Sequence, residues 1–297
     1  MTFHWRNWIP VGIKNLRKGW KKKQLNAQME RLRINGNVWS TLQLMDHLKA
    51  AGIVQGDHVM VHASMSKMGV LEQGPQTFID ALKNVIGPEG VVLMPTSPIP
   101  TLQYDYVQSN PVFDVSATPS AMGAISEFFR TSEGVVRSLH PTEPVAAWGS
   151  NAFEYIKDHA VKNTPYHWDS PYGKLIQNGG KILYIGVTLD NAGTHLHTLE
   201  DAIDIGVPVY APEVFDLEVR DFDGKSRMVQ TKVHNPVYSK QRRCDALLPL
   251  FLKENVYKEV QIGKAKTLVF NAKLMFDVMM FSFQERGVTM YNPQGNS

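Results

Sequence analysis

His197 stands three residues before Glu200 within residues 190–201, DNAGTHLHTLED. On a helix that spacing puts both side chains on one face, within hydrogen-bond reach. A carboxylate that accepts from one imidazole nitrogen fixes the tautomer and leaves the other nitrogen as a base. It also stabilises the imidazolium that forms when the base takes a proton. The pair is half of an acid–base site, a base with its orienter. The same two residues also arise by chance at an exposed helix start, so their setting has to decide.

A second constellation lies upstream. His62-Ala-Ser64-Met-Ser66-Lys67-Met-Gly69 follows the alternating residues 59–61. Gly74-Pro75 then opens a segment with Phe78, Ile79, Leu82 and Ile86 at helical spacing, with proline in its first turn. A Ser- and Gly-bearing loop between strand and helix can turn N–H groups and hydroxyls toward an anion, and Lys67 adds charge. The segment matches neither common glycine-rich phosphate fingerprint, so it also reads as an ordinary connection.

Both constellations need a strand to carry them. Residues 181–187, KILYIGV, form a short branched apolar run and predict a buried strand. Residues 91–94 predict another, with Thr96 and Ser97 at its end. In open α/β sheets, ligands gather outside the carboxyl ends of the strands. Thr118-Pro119-Ser120 precedes Met122, Ile125, Phe128 and Phe129, which predicts a helix capped by Thr118 or Ser120. Asp223-Gly224 between FDLEVRDF and KSRMVQTKV predicts a hairpin. The expected fold is a single α/β domain. It has a mixed, largely parallel central sheet, helices on both faces and a C-terminal antiparallel hairpin element.

Residues 113–152 and 170–201, which hold the HPTEP and HTLED motifs, resemble the aminoglycoside 3-N-acetyltransferase family. Residues 59–98 look like its first block, and the likeness is collinear over residues 41–283. That family transfers acetyl from acetyl-CoA to an amine of an amino sugar. Its His-x-x-Glu motif falls on His197 and Glu200, preceded by the matching Thr194. The resemblance implies direct transfer from acetyl-CoA with no metal. It implies that Ser64, Ser66, Lys67 and Gly69 meet the coenzyme A pyrophosphate. Thr96 and Ser97 would line the pantetheine arm or cap the next segment, and Thr118 would be a ligand contact second to its capping role. His140 matches the family and would contact the acceptor or hold structure. The family follows His-Pro with two variable residues and a serine, whereas this chain has Pro144 there, preceded by Glu143. Asp169, Asp190 and Asp201 would draw a cationic acceptor by Coulomb attraction. That acceptor is an aminoglycoside, or a sugar intermediate of polysaccharide or natural-product biosynthesis.

The 297 residues are 43% hydrophobic, enough for one large domain or two small ones, and carry net charge +3. No apolar stretch is long enough to span a bilayer. Cys244 is the only cysteine, which excludes an internal disulfide. Arg242 and Arg243 precede it and would lower its thiol pKa, but it lacks the surroundings of known cysteine nucleophiles and reads as a bystander. Residues 1–33 hold nine Lys or Arg against Glu30 alone, hence +8, leaving −5 for the remainder. Trp5, Trp8 and Trp20 are interleaved with these charges, the composition of an interfacial segment on anionic lipid. Packing on a sister subunit of a homo-oligomer is the alternative, with nucleic acid behind both. The expected organisation is a basic amphipathic arm, 1–33, and a single acetyltransferase domain, 34–297. The expected location is cytoplasmic, at the inner membrane face if the arm binds lipid.

Two further readings are distinct. A metal-dependent hydrolase would use His195, His197 and His167 as ligands. A non-catalytic, membrane-recruited binding module would leave the His-Glu pair vestigial.

Overall fold

The computed structural model describes residues 38–296. Its strands are β1 (Val38–Trp39), β2 (His58–Ala63), β3 (Val70–Leu71), β4 (Val91–Pro95), β5 (Phe113–Asp114) and β6 (Val136–Arg137). There follow β7 (Val145–Trp148), β8 (Lys181–Ile185), β9 (Phe215–Arg220), β10 (Ser226–Thr231), β11 (Tyr257–Ile262) and β12 (Ala265–Asn271). The main sheet runs β11-β12-β8-β2-β4-β7-β6. β2 pairs in parallel with β8 and with β4, placing Met60 beside both Ile182 and Leu93.

The remaining pairs of this sheet are antiparallel, which corrects the largely parallel sheet expected. Connection length explains it. Only Gly263 and Lys264 separate β11 from β12, and Gly263 takes φ 59, the conformation a two-residue hairpin demands. Residues 138–144, between β6 and β7, are likewise too few for the crossover that a parallel neighbour requires.

Helices cover both faces, as expected. Met60, Leu93, Ile182, Tyr184 and Phe270 pack on one side with Leu175, Ile176, Met275 and Met279. Those partners lie on helices Pro171–Gln177 and Ala272–Arg286. Val59, Val61, Val92, Leu183 and Ile185 pack on the other with Leu44, Leu48, Phe78 and Leu82. These last lie on helices Thr41–Ala50 and Pro75–Ile86. Burial on both sides explains why the central strands read as unbroken apolar runs. Pro75 begins its helix as predicted, and Phe78, Ile79, Leu82 and Ile86 are all buried.

The Asp-Gly hairpin also forms, with Ser226 opposite Arg220. It joins β5 in a separate three-stranded sheet, as expected of an element flanking the core, and the main sheet has a hairpin of its own, β11–β12. The capping role expected of Thr118 or Ser120 is corrected. The helix begins later, at Ala124 after Gly123. Thr118 Oγ1 accepts from Asp114 N–H at 2.9 Å and Ser120 Oγ from Met122 N–H at 3.1 Å. Both side chains are consumed in tight turns before the helix starts. No helix among the described residues is long and apolar enough to cross a membrane. The basic arm, 1–33, lies outside the described residues.

Candidate active site

β8 ends against Gly186, where an added Cβ would lie 2.5 Å from Lys67 Cβ. Only glycine lets these segments pass so closely. The chain continues through helix Leu189–Ala192 and the turn Thr194–Leu196 into helix His197–Ala202. Leu189, Leu196 and Leu199 anchor this run in the core. His197 Nδ1 then lies 2.8 Å from Glu200 Oε2. With the carboxylate ionised, Nδ1 donates. His197 Nε2 has no hydrogen-bond partner among the described residues, and the side chain keeps 13% of its exposure. Burial lowers the His197 pKa, Glu200 raises it and Arg242 lowers it, with a net value below the ordinary one.

Glu200 is the best-held carboxylate of the site. Arg242 donates from Nε to Oε1 at 2.9 Å and from Nη2 to Oε2 at 3.1 Å. Tyr291 donates its hydroxyl to Oε1 at 3.1 Å. His234 Nε2 stands 3.5 Å from Oε2, too far for a good hydrogen bond. Burial alone would raise the Glu200 pKa, yet His197 and His234 help hold it well below the usual range.

An aromatic wall borders His197. The Tyr166 and His234 rings lie 4.7 and 4.5 Å from the His197 ring. His234 is stacked between Tyr166 at 5.6 Å and Tyr210 at 5.3 Å. Asp201 secures this wall, accepting from the Tyr210 hydroxyl at 2.6 Å and Tyr166 N–H at 3.1 Å. Burial pushes its carboxyl up to about 6. Asp190 accepts from Asp245 N–H at 3.0 Å, while Asp245 accepts from Leu189 N–H at 2.8 Å, a reciprocal brace. Asp169 pairs with Lys162 at 3.2 Å, both half exposed. The three acids expected to attract an acceptor are thus engaged with this chain.

Residues 65–68 form one helical turn rather than an open loop. Ser64 N–H extends the β2–β8 ladder to Ile185 O at 2.9 Å, and its hydroxyl meets that of Ser66 at 3.2 Å. Gly69 takes φ 93. Lys67 lines a cavity of about 500 Å³ with Gly186, Thr188, Lys264 and Lys266. Thr96 and Ser97 are buried and donate to the carbonyls of Pro144 at 2.9 Å and Thr142 at 2.6 Å. His140 is buried against His159, and its Nδ1 accepts from Glu143 N–H at 3.2 Å. Thr194 Oγ1 lies 3.3 Å from His62 Nε2. The lowered thiol pKa expected at Cys244 is corrected: burial outweighs Arg242 and pushes it up to about 12.

The hydrolase triad does not assemble. Among the described residues His195, His197 and His167 do not bring ligand atoms together, and His167 faces the His159 carbonyl at 3.4 Å. His197, Glu200 and His234 do bring one ligand atom each within 4.8 Å of one another. But Arg242 takes both Glu200 oxygens and so already neutralises the carboxylate that such an ion would need. Sequence spacing missed Tyr166, His234, Arg242 and Tyr291. The only signal was the Arg242-Arg243 doublet, read for its effect on Cys244.

The family model for aminoglycoside 3-N-acetyltransferase matches residues 60–284. The chain belongs to this family. Aminoglycoside N(3)-acetyltransferase VII of Streptomyces paromomycinus is 33% identical over 185 residues, spanning 58% of this chain and 63% of that relative. The structure of AAC-IIIb in a binary complex with CoASH is similar, with TM-score 0.69 and 26% identity over 83% of this chain and 97% of the other. So is AAC-VIa bound to sisomicin, with TM-score 0.70 and 28% identity over 83% and 98%.

Proposed function

We propose that this protein transfers acetyl from acetyl-CoA to an amine of an amino sugar, with an aminoglycoside as the leading acceptor. One observation carries the reading: His197 is oriented by a buried carboxylate and, among the described residues, has no hydrogen-bond partner on Nε2 beside the Tyr166 and His234 rings. An amine acceptor arrives largely as ammonium and must lose a proton. A neutral imidazole poised near working pH can take it. Holding both reactants beside Nε2 supplies much of the remaining rate. Acetyl-CoA, when bound, supplies an acyl carbon already activated toward amines, so no covalent enzyme intermediate is needed. Lys67, with Lys264 and Lys266 on the same cavity wall, supplies positive charge for a diphosphate, offset in part by Asp245 and by the Glu259 partner of Lys266. Ser64, Ser66 and Gly69 shape the turn that presents Lys67. The CoASH and sisomicin complexes of similar proteins support the donor and acceptor classes. A sugar intermediate met at a membrane is the alternative acceptor, favoured by the +8 charge of residues 1–33.

The test is thiol release from acetyl-CoA against a panel of aminoglycosides and simple amino sugars. Amine-dependent release that resists chelators is expected. Absence of release with every amine, or loss of activity on chelation, refutes the reading.

A further inference from the structure

The carboxylate that orients the base is gripped from a distant part of the chain. Arg242 meets both Glu200 oxygens side-on, at 2.9 and 3.1 Å. Its guanidinium lies 5.5 Å over the Tyr291 ring, and the Tyr291 hydroxyl reaches the same carboxylate. Tyr291 stands beyond residue 284, where the family match ends. The segment carrying Arg242 is pinned, because Arg243 N–H donates to Met290 O at 2.8 Å and Asp245 is braced by Asp190. Arg242 itself is nearly buried, at 10% side-chain exposure. A forked, pre-organised guanidinium on both oxygens fixes a carboxylate more tightly than an ammonium can.

The electrostatic consequence follows from the same contacts. A lone carboxylate against an imidazole pulls a proton onto it. An imidazole already protonated cannot serve as a base. We propose that Arg242 is a positioning residue: it locks Glu200 in the orientation that aligns His197 and offsets its charge, so that His197 rests neutral. This inference rests on His197 being the base of the proposed transfer.

Among the described residues, the titratable groups around His197 and its ring neighbours are these. Glu200 and Asp201 come from its own helix, and Tyr166 from the loop before helix Pro171–Gln177. Tyr210 and His234 come from the segment that pairs through a bridge, and Tyr291 from the C-terminal segment. Burial keeps His234 neutral, near 3, and Asp201 is engaged by Tyr210 and Tyr166. Burial lowers the imidazole most, Glu200 pulls it back up, and Arg242 offsets that pull.

The experiment compares Arg242→Gln, Arg242→Lys and Tyr291→Phe with the parent protein. It reads the acid limb of kcat/KM and, independently of turnover, the His197 imidazole titration by nitrogen NMR. Arg242→Gln is expected to move both upward by on the order of one pH unit, because it leaves Glu200 unopposed. Its kcat should fall roughly tenfold or more, since general-base catalysis is worth about 10²–10⁴ in all. Arg242→Lys should keep the pH limb but lose kcat several-fold, since an ammonium cannot span both oxygens. Tyr291→Phe should lower kcat without moving KM. If Arg242→Gln changes KM alone and leaves the imidazole titration in place, the inference is overturned. Should Arg242→Gln fail to fold, unchanged kcat in both other variants overturns it equally. A parent protein that acetylates no amine, yet shows the expected NMR shift in Arg242→Gln, refutes the proposed function and spares the charge balance.

Discussion

Replacing His197 with alanine separates catalysis from scaffolding in this site. Glu200 would lose the 2.8 Å partner on Oε2 but keep both Arg242 bonds and the Tyr291 hydroxyl. The carboxylate therefore stays in place. One hydrogen bond to a charged group is worth about 1.5–3 kcal/mol, so the thermal midpoint should fall by several degrees without loss of fold. Activity should respond far more. General-base catalysis contributes roughly 10²–10⁴-fold, or about 3–5 kcal/mol at the transition state. The assay is thiol release at saturating amine across a pH series. In the parent protein the rate should fall as pH drops below the ordinary imidazole range, because the His197 pKa is lowered and the base works only when neutral. The variant should lose that acid limb together with kcat, while coenzyme A binding by calorimetry stays near normal. A variant that turns over within tenfold of the parent and keeps the acid limb would refute the assignment. The proton would then leave by another route.

Lys67→Ala should weaken coenzyme A more than a pantetheine fragment without the diphosphate, measured by calorimetry; equal weakening of both would remove phosphate from this cavity. Glu143 is buried, and its carboxyl is pushed up to about 7 from an unperturbed 4.5. The folded state thus holds an extra proton between those values, and stability falls as pH rises through that window, by at most roughly 3 kcal/mol. Glu143→Gln should therefore raise the urea midpoint at pH 8 and leave it nearly unchanged at pH 4; an equal change at both would show that ionisation is not the cause. Deleting residues 1–33 should abolish co-sedimentation with anionic vesicles while acetyl transfer to a soluble amine survives, and salt should weaken the parent's attachment. An intact protein that ignores such vesicles at low salt removes the membrane role.

Local order was legible where it decides local structure. The branched run at 181–187 is strand β8, the 78-79-82-86 spacing is a buried helix face, and the Asp-Gly pair turns a hairpin. The His197–Glu200 spacing became a 2.8 Å contact for the same reason. What escaped is set by long-range pairing. Arg242 and Tyr291 are 42 and 91 positions from Glu200, and no periodicity links them. Strand direction escaped similarly, because an apolar run buried on both faces looks alike in a parallel and an antiparallel neighbour. Acidic residues were visible as charge but not as partners. Asp190 and Asp201 act through N–H and hydroxyl donors from other segments, and neither donor is near in sequence terms that a motif records.

The one clear departure from the family pattern is tied to the same network. Pro144 stands where the resemblance places a serine, and the structure uses its carbonyl to receive both the N–H and the hydroxyl of Thr96 at the end of β4. Glu143 beside it accepts from the Gln103 amide, whose own oxygen accepts from His234 N–H at 2.9 Å. His234 in turn packs 4.5 Å from His197. Residues 140–144 therefore do not simply lack a hydroxyl. Beside Pro144 they place a buried carboxyl that holds, through Gln103, the backbone N–H of His234, whose ring packs against His197. A buried carboxyl left without its amide partner would carry a desolvation cost of about 1–3 kcal/mol or more, so Gln103 and Glu143 act as a unit. Substitutions at this corner should accordingly reach the His197 ring through His234, while the His197–Glu200–Arg242 line keeps its geometry.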